Sequence, residues 1–199
     1  MTNVTVFVVD TEQAGRSLVR HSMHWFGVMK LTEKLDTFFD GKMCPRPGTG
    51  YDPVAMQYAG ATWDEIQSWP EPEPVMLAFR SWIIANTEPG TKPQFWADNN
   101  GHDKKWMDFY MDLYADTPDE FGNYAQESLL GHSSKNVNNW HQYFVTGCKV
   151  AGKPVPPRYR KRKNLSITKH NHTPVQDARG VCESMLAMRD VGLIVPVAP

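Results

Sequence analysis

The stretch Val4-Thr-Val-Phe-Val-Val-Asp-Thr-Glu12 decides how the rest of the chain is read. Residues 4–9 are rich in β-branched side chains and apolar on both faces. That pattern predicts a strand covered on both sides of a sheet. The strand runs into Asp10-Thr11-Glu12 at its end. Side chains alternate along a strand, so Asp10 and Glu12 point one way and Thr11 the other. Two carboxylates held side by side repel, and a divalent cation shared between their oxygens relieves the repulsion. The competing reading is a solvated strand end entering a turn, because Asp-x-Glu is short and common.

Outward from this strand, residues 23–31 and 35–39 read as two further strands. The short links favour antiparallel neighbours. Residues 41–60 are rich in Gly and Pro and read as loop. Thr62-Trp-Asp-Glu65 has the form of a capping box opening a short helix. A second helix is predicted over 74–86, where Val75, Ala78, Phe79, Trp82 and Ile83 repeat at helical spacing. Residues 94–97 read as a short strand, 103–114 as a helix, and 115–131 as turn-rich. Val137, Trp140, His141 and Phe144 predict another amphipathic helix, ended by Gly147. Residues 151–164 read as a loop or insertion, and a last helix starts near Thr173 and ends before Gly192. The order β-β-β-α-α-β-α-α-α implies an α/β layer with a mixed sheet.

Two later segments add chemistry. Asp103 precedes Trp106 and Met107 on the apolar stripe of its helix, where a carboxylate needs a metal or an arginine. The alternative is an acidic residue favoured by the helix dipole. In His170-Asn-His-Thr-Pro-Val-Gln-Asp177-Ala, Thr173 reads as an N-cap and Pro174 as the first helical position. Gln176 would complete a Thr-x-x-Gln capping box, so His172 and Asp177 are held close together around a helix start. A capped helix beside a surface histidine is the plainer alternative.

Taken in order, Asp10-x-Glu12, then Asp103, then His172-x4-Asp177 with the helices between them resembles the DEDD exonuclease superfamily in its histidine subtype. That group includes proofreading subunits of DNA polymerases, RNase T and oligoribonuclease. The resemblance extends over residues 4–113 and 165–191, including Gly60-Ala-Thr-Trp63, Pro70 and Asp98-Asn-Asn-Gly-His-Asp103. It departs where Gln13-Ala14-Gly15 replaces the family's frequent Thr-Thr-Gly, and where His102 stands for an apolar aromatic. Asp98 is an extra carboxylate, and Asp103 is preferred as the ligand because it lies on the helix stripe and matches the family pattern.

The resemblance implies a ribonuclease H-like fold, α/β with a mixed β-sheet and flanking helices. It implies one exonuclease domain over 1–199 with a family-specific insertion at about 115–164. It further implies that Asp10, Glu12, Asp103 and Asp177 hold two divalent ions, Mg²⁺ or Mn²⁺, with Asp10 bridging and His172 as general base. The expected reaction is 3′→5′ hydrolysis of single-stranded DNA or RNA to nucleoside 5′-monophosphates. Backbone groups of Gln13, Ala14 and Gly15 would receive the terminal base. Trp63, Trp96 and Trp106 are candidates for base stacking, against the reading that aromatics on such stripes are core. The basic run 158–163, above all Arg158, Arg160 and Lys161, is a candidate phosphate clamp, against a plain solvated loop.

The bulk properties fit. With 199 residues, 41% hydrophobic and 22% charged, the chain reads as one ordinary globule. Its net charge of −1 leaves nucleic-acid contact to local patches. Cys44, Cys148 and Cys182 are far apart, which supports neither a disulfide scaffold nor a zinc ribbon. The N-terminus lacks a basic n-region and no run approaches a membrane helix, so a cytoplasmic protein without a membrane partner is expected. A homodimer, known in RNase T-like members, is a further expectation. Two rivals stand beside this reading. One is a nucleic-acid-binding module that kept the fold and lost the chemistry. The other is an HNH endonuclease, from the literal His170-Asn171-His172. His21, His24 and Cys44 do not supply a separate ligand set.

Overall fold

The computed structural model describes residues 4–116, 129 and 135–191. The turn-rich reading of 115–131 and most of the expected insertion before residue 135 lie outside the described residues.

Strand β1 (Val4–Gln13) pairs antiparallel with β2 (Met23–Lys30), which pairs antiparallel with β3 (Phe38–Lys42). On its other side β1 pairs parallel with β4 (Lys92–Ala97), and β4 pairs parallel with the two-residue β5 (Lys135–Asn136). The spatial order is therefore β3-β2-β1-β4-β5, a mixed sheet with β1 at its centre. Among the described residues six α-helices accompany it: α1 (Pro53–Met56), α2 (Trp63–Gln67), α3 (Pro72–Asn86), α4 (Asn100–Tyr114), α5 (Val137–Val150) and α6 (Pro174–Arg189).

The central strand explains the two layers. Phe7 and Val9 face one core, where Phe79 and Ile83 of α3 and Trp106, Met107 and Tyr110 of α4 pack. Val6 and Val8 face the other, filled by Val175, Ala178, Cys182 and Met185 of α6 with Val137 and Leu165. Burial of both faces is what the uninterrupted apolar run implied.

Several local expectations change. The first strand does not stop before the acidic pair but carries it, running on to Gln13. The third strand begins at Phe38, because Leu35 takes a left-handed turn (φ 52°) and the chain must first reverse. The capping box of Thr62 and Glu65 is formed as read. Gly147 does not end its helix, which continues to Val150. The loops at 41–60 and 151–164 contain order: α1, whose N-terminus Asp52 caps through a bond from Val54, and two 3-10 turns at Pro157–Arg160 and Arg162–Leu165. Among the described residues no helix is long and apolar enough to cross a membrane.

Candidate active site

Parity along β1 sets the first half of the site. Asp10 and Glu12 share the face of Val6 and Val8, towards α6, while Thr11 faces α4 with Phe7 and Val9. Asp10 stands opposite Gly27 of β2. A Cβ at Gly27 would lie 2.1 Å from the backbone nitrogen of Val175, so only glycine lets the start of α6 come this close. That approach brings Asp177 to β1. One carboxylate oxygen from each of Asp10, Glu12 and Asp177 lies within 4.8 Å of the others.

The second half comes from the opposite layer. Asp103, in the first turn of α4, is 3% exposed. Its Oδ1 accepts a hydrogen bond from Thr11 Oγ1 at 2.7 Å, and its Oδ2 is buried without a hydrogen-bond partner. The expectation that a carboxylate on this stripe requires a partner is thus half met by protein. Asp98, at the end of β4, joins it: oxygens of Asp10, Asp98 and Asp103 also gather within 4.8 Å. Asp98, set aside in the sequence reading, stands beside Asp103 in the cluster. The available signal was its place directly after the apolar strand segment 94–97; the parallel pairing with β1 that brings it to Asp10 is tertiary.

The loop before α6 departs from its expected form. Thr173 occupies the N-cap position but its side chain makes no cap bond, so no capping box forms. Instead Asn171 Oδ1 accepts from the backbone of Thr173 at 3.1 Å, and Asp177 Oδ1 accepts from the backbone of Asn171 at 3.0 Å. His172 between them adopts a left-handed conformation (φ 59°). Only a few per cent of non-glycine residues adopt such a turn, histidine more readily than most, and it recurs at functional sites. It swings His172 over the site, where Nδ1 lies 3.1 Å from Glu12 Oε1 and the ring packs on Tyr58, 5.0 Å between centroids. His170 Nδ1 lies 2.9 Å from Asp177 Oδ2, an ion pair only when His170 is protonated. Glu183 of α6 ties the loop down by accepting from the backbone of Ile167 and Thr168 and from the Thr168 hydroxyl.

Crowding of acids leaves its mark on their titration. Burial, then the neighbouring Asp103, Glu12, Asp177 and Asp98, raises the Asp10 carboxyl well above the usual range. Burial first, then Asp177 and Asp103, pushes Glu12 up to about 8. Burial pushes Asp103 up to about 7, against the opposing Thr11 hydrogen bond. Burial, then His170, lowers His172 below its ordinary value, so at neutral pH it is chiefly uncharged. The histidines His170 and His172 also gather with Asp177, but carboxylate oxygens predominate, and with an orphaned buried acceptor and carboxyls that resist ionisation they suit hard divalent cations such as Mg²⁺ or Mn²⁺.

Two cavities flank the acids. A cavity of about 340 Å³ is lined by Asp10, Asp98 and Asp177 together with Arg162, Lys163, Lys169 and His170. Another of about 300 Å³ is lined by Glu12, Gln13, Gly15, Arg16, Tyr58, His102 and His172 among others.

The expected substrate contacts divide. Gln13 and Gly15 line the second cavity, yet the Gln13 amide is already engaged, Nε2 with Thr11 and Oε1 with His102, both at 2.5 Å. Ala14 is fully buried, and its N–H and C=O are bonded to Ser22 and Asp52, so it offers substrate nothing. Trp106 is fully buried in the core and cannot stack a base; the core reading of its helical position was the correct one. Trp96 is 4% exposed and packs edge-on against Trp140. Arg158, Arg160 and Lys161 are exposed but do not line the cavity at the carboxylates. Of that basic run, Arg162 turns inward and Lys163 faces the cavity. His170-Asn-His172 belongs to a loop leading into α6, not to a hairpin, which removes the HNH reading. His24 is buried in β2, and no candidate metal group among the described residues includes it, His21 or Cys44.

No family model and no curated protein matches the chain. Solved structures do. The nuclease domain of 3′hExo, a DEDDh family member, bound to rAMP, is 15% identical with a TM-score of 0.63; the match covers 94% of this chain and 92% of that one. A full-length 3′-exonuclease is 15% identical with a TM-score of 0.68, covering 96% of this chain and 62% of that one. The E. coli ExoI–ssDNA complex is 13% identical with a TM-score of 0.64, covering 96% of this chain and 41% of that one. The chain thus spans less than two thirds of the two longer proteins. At this identity the likeness is one of fold: the chain has the ribonuclease H-like fold of the DEDD exonucleases.

Proposed function

We propose that the protein is a metal-dependent 3′→5′ exonuclease that shortens single-stranded DNA or RNA and releases nucleoside 5′-monophosphates. The observation that carries this reading is the meeting of Asp10, Glu12, Asp103 and Asp177, from three separate elements, beneath a histidine fixed on Glu12, in that fold.

Asp10, Glu12 and Asp177 would hold one divalent ion, and Asp10 with Asp103 a second. When bound, such ions lower the pKa of an attacking water and neutralise charge on the leaving oxygen. The chain's own groups do the rest. Thr11 holds Asp103 in place through its Oδ1. In the Nδ1–H tautomer, Glu12 accepts from Nδ1 and orients His172, which would leave Nε2 as the acceptor for the proton of the attacking water. The lowered pKa of His172 keeps that acceptor free at neutral pH. Lys163 and Lys169 supply positive charge along the cavity for the phosphate run. The cavity with Tyr58 and Gly15 offers an aromatic ring to the terminal nucleotide.

Digestion of matched 5′-labelled single-stranded DNA and RNA oligomers, with Mg²⁺, Mn²⁺ or EDTA, tests this reading. The expected result is a ladder shortening from the 3′ end only when metal is present, and the faster substrate gives the sugar preference. Binding of the oligomers with no shortening in either metal would overturn it in favour of a binding module.

A further inference from the structure

We propose that Asp98 is a fifth carboxylate of the cation site, ligating alongside Asp10 and Asp103, and that Arg162 is the residue that positions it. The proposal rests on the metal site of the preceding reading and adds a residue outside the four-carboxylate pattern.

The register of the sheet places Asp98 there. Val8 of β1 pairs with Trp96 of β4 in parallel, and both side chains belong to the core on the α6 side. Asp10 follows Val8 by two residues within β1, and Asp98 follows Trp96 by two residues, one beyond the end of β4; both line the cavity they share with Asp177. Adjacent strands are about 4.8 Å apart, a span that one cation bridges through carboxylate oxygens. From the other layer Asp103, 3% exposed, contributes a buried Oδ2 without a hydrogen-bond partner among the described residues. Asp10, Asp98 and Asp103 each bring an oxygen within 4.8 Å of the other two. A buried acceptor without a partner is costly, and a cation at this point satisfies it.

Asp98, one residue beyond β4, is held at both its backbone and its side chain. Its carbonyl accepts from the side-chain amides of Asn136 at 3.1 Å and Asn138 at 2.9 Å. Its Oδ2 accepts from Arg162 at 2.7 Å. Arg162 is 8% exposed and is itself fixed by Asn138 Oδ1 at 2.6 Å and by Ser184 Oγ at 3.4 Å. Arg162 binds only Oδ2, so a cation in the cluster can take Oδ1. The residues that lock this pair are Asn136 of β5, Asn138 of α5 and Ser184 of α6, while Arg162 itself comes from the 3-10 turn at Arg162–Leu165.

A plain ion pair is the competing explanation, and charge bookkeeping between two variants separates them. Mn²⁺ binding is measured by electron paramagnetic resonance and calorimetry at pH 8 without nucleic acid. The wild type is expected to bind two ions. D98N keeps an oxygen for Arg162 but loses the ligand charge, and one ion should bind about 10–100-fold more weakly, the range seen when groups supporting a metal site are removed. That loss alone has a second possible origin, the unpaired Arg162 charge repelling the ion. The double variant D98N/R162M removes both charges of the pair, so it also supplies the answer if D98N alone fails to fold. If Asp98 is a ligand, the double variant stays weak. Recovery of wild-type affinity in the double variant, or wild-type binding by D98N, would overturn the proposal. A wild type that binds no Mn²⁺ sinks it together with the metal site. Absence of digestion alongside the expected Mn²⁺ pattern sinks only the exonuclease reading.

Discussion

Glu12 and His172 touch at 3.1 Å although 160 residues separate them, and each is altered by the contact's surroundings. His172 occupies a left-handed turn, so alanine would confound chemistry with backbone strain. Asparagine tolerates that conformation, and H172N is therefore the cleaner variant. It is expected to lower turnover by about 10²–10⁴-fold, the usual contribution of a general base, while leaving the rise in melting temperature with Mn²⁺ nearly intact. Normal turnover in H172N would remove His172 from the mechanism. Glu12 carries a pH signature. Its folded pKa of about 8 lies above the ordinary 4.5, so the folded state binds the proton more tightly than the unfolded chain does. Stability from this group is present below 4.5 and is lost as pH rises through 8. In EDTA the melting temperature should fall across that window, and E12Q should fall less steeply than the wild type. His24, held neutral with a pKa of about 4, has the opposite slope in acid, but it is common to both proteins and cancels in the difference. Equal slopes in the two proteins would mean Glu12 is ionised without cost.

Among elements, the contact of α6 with β2 decides whether Asp177 reaches Asp10. Gly27 makes that contact possible, and a methyl group there meets backbone rather than a movable side chain. G27A is expected to destabilise the protein by about 1–3 kcal/mol, the range for overpacking, and also to weaken Mn²⁺ binding by displacing the start of α6. Denaturant unfolding and Mn²⁺ titration read the two effects separately; a stability loss with unchanged metal affinity would show that α6 adapts without moving Asp177. Glu183 acts one layer further out. E183A leaves every proposed ligand in place but frees the backbone of Ile167 and Thr168. A fall in kcat with Mn²⁺ affinity kept is the expected outcome, because His172 rides on that loop. The lone glycine in an apolar strand was a legible sign of close backbone approach, whereas Glu183 reads in sequence as an ordinary helical surface residue.

Across the whole molecule, a chain of net charge −1 must concentrate its positive charge to hold a polyanion. Lys163 and Lys169 lie at the carboxylate cavity, and Arg158, Arg160 and Lys161 lie outside it. Each lysine that contacts a phosphate contributes about 0.7 to the slope of log affinity against log salt for single strands. K163Q/K169Q should therefore flatten that slope by about 1.4, measured with an uncleavable oligomer, and neutralising Arg158, Arg160 and Lys161 should change it less. The reverse order would return the phosphate path to the outer run.

What the amino-acid order determined by itself is the α/β architecture and the common face of Asp10 and Glu12; the gathering of the four acids was an expectation from the family resemblance. The apolar run of β1, covered on both faces, and the alternation that aims Asp10 and Glu12 together are local properties of the chain, and local periodicity is written directly in sequence. The helix stripes that bury Asp103 and Asp177 are equally local. Tertiary structure alone decided which partners complete the site. Asp98 stands beside Asp10 because parallel pairing of β1 with β4 fixes their register, and no spacing along the chain states a register between residues as remote as Val8 and Trp96. Arg162 turns inward because Asp98, Asn138 and Ser184 converge on it, although its neighbours in the same basic run are exposed. Trp106 is core and Ala14 has no free backbone for the same reason: burial and hydrogen-bond occupancy belong to the packed molecule, where each group meets neighbours that are remote in the chain.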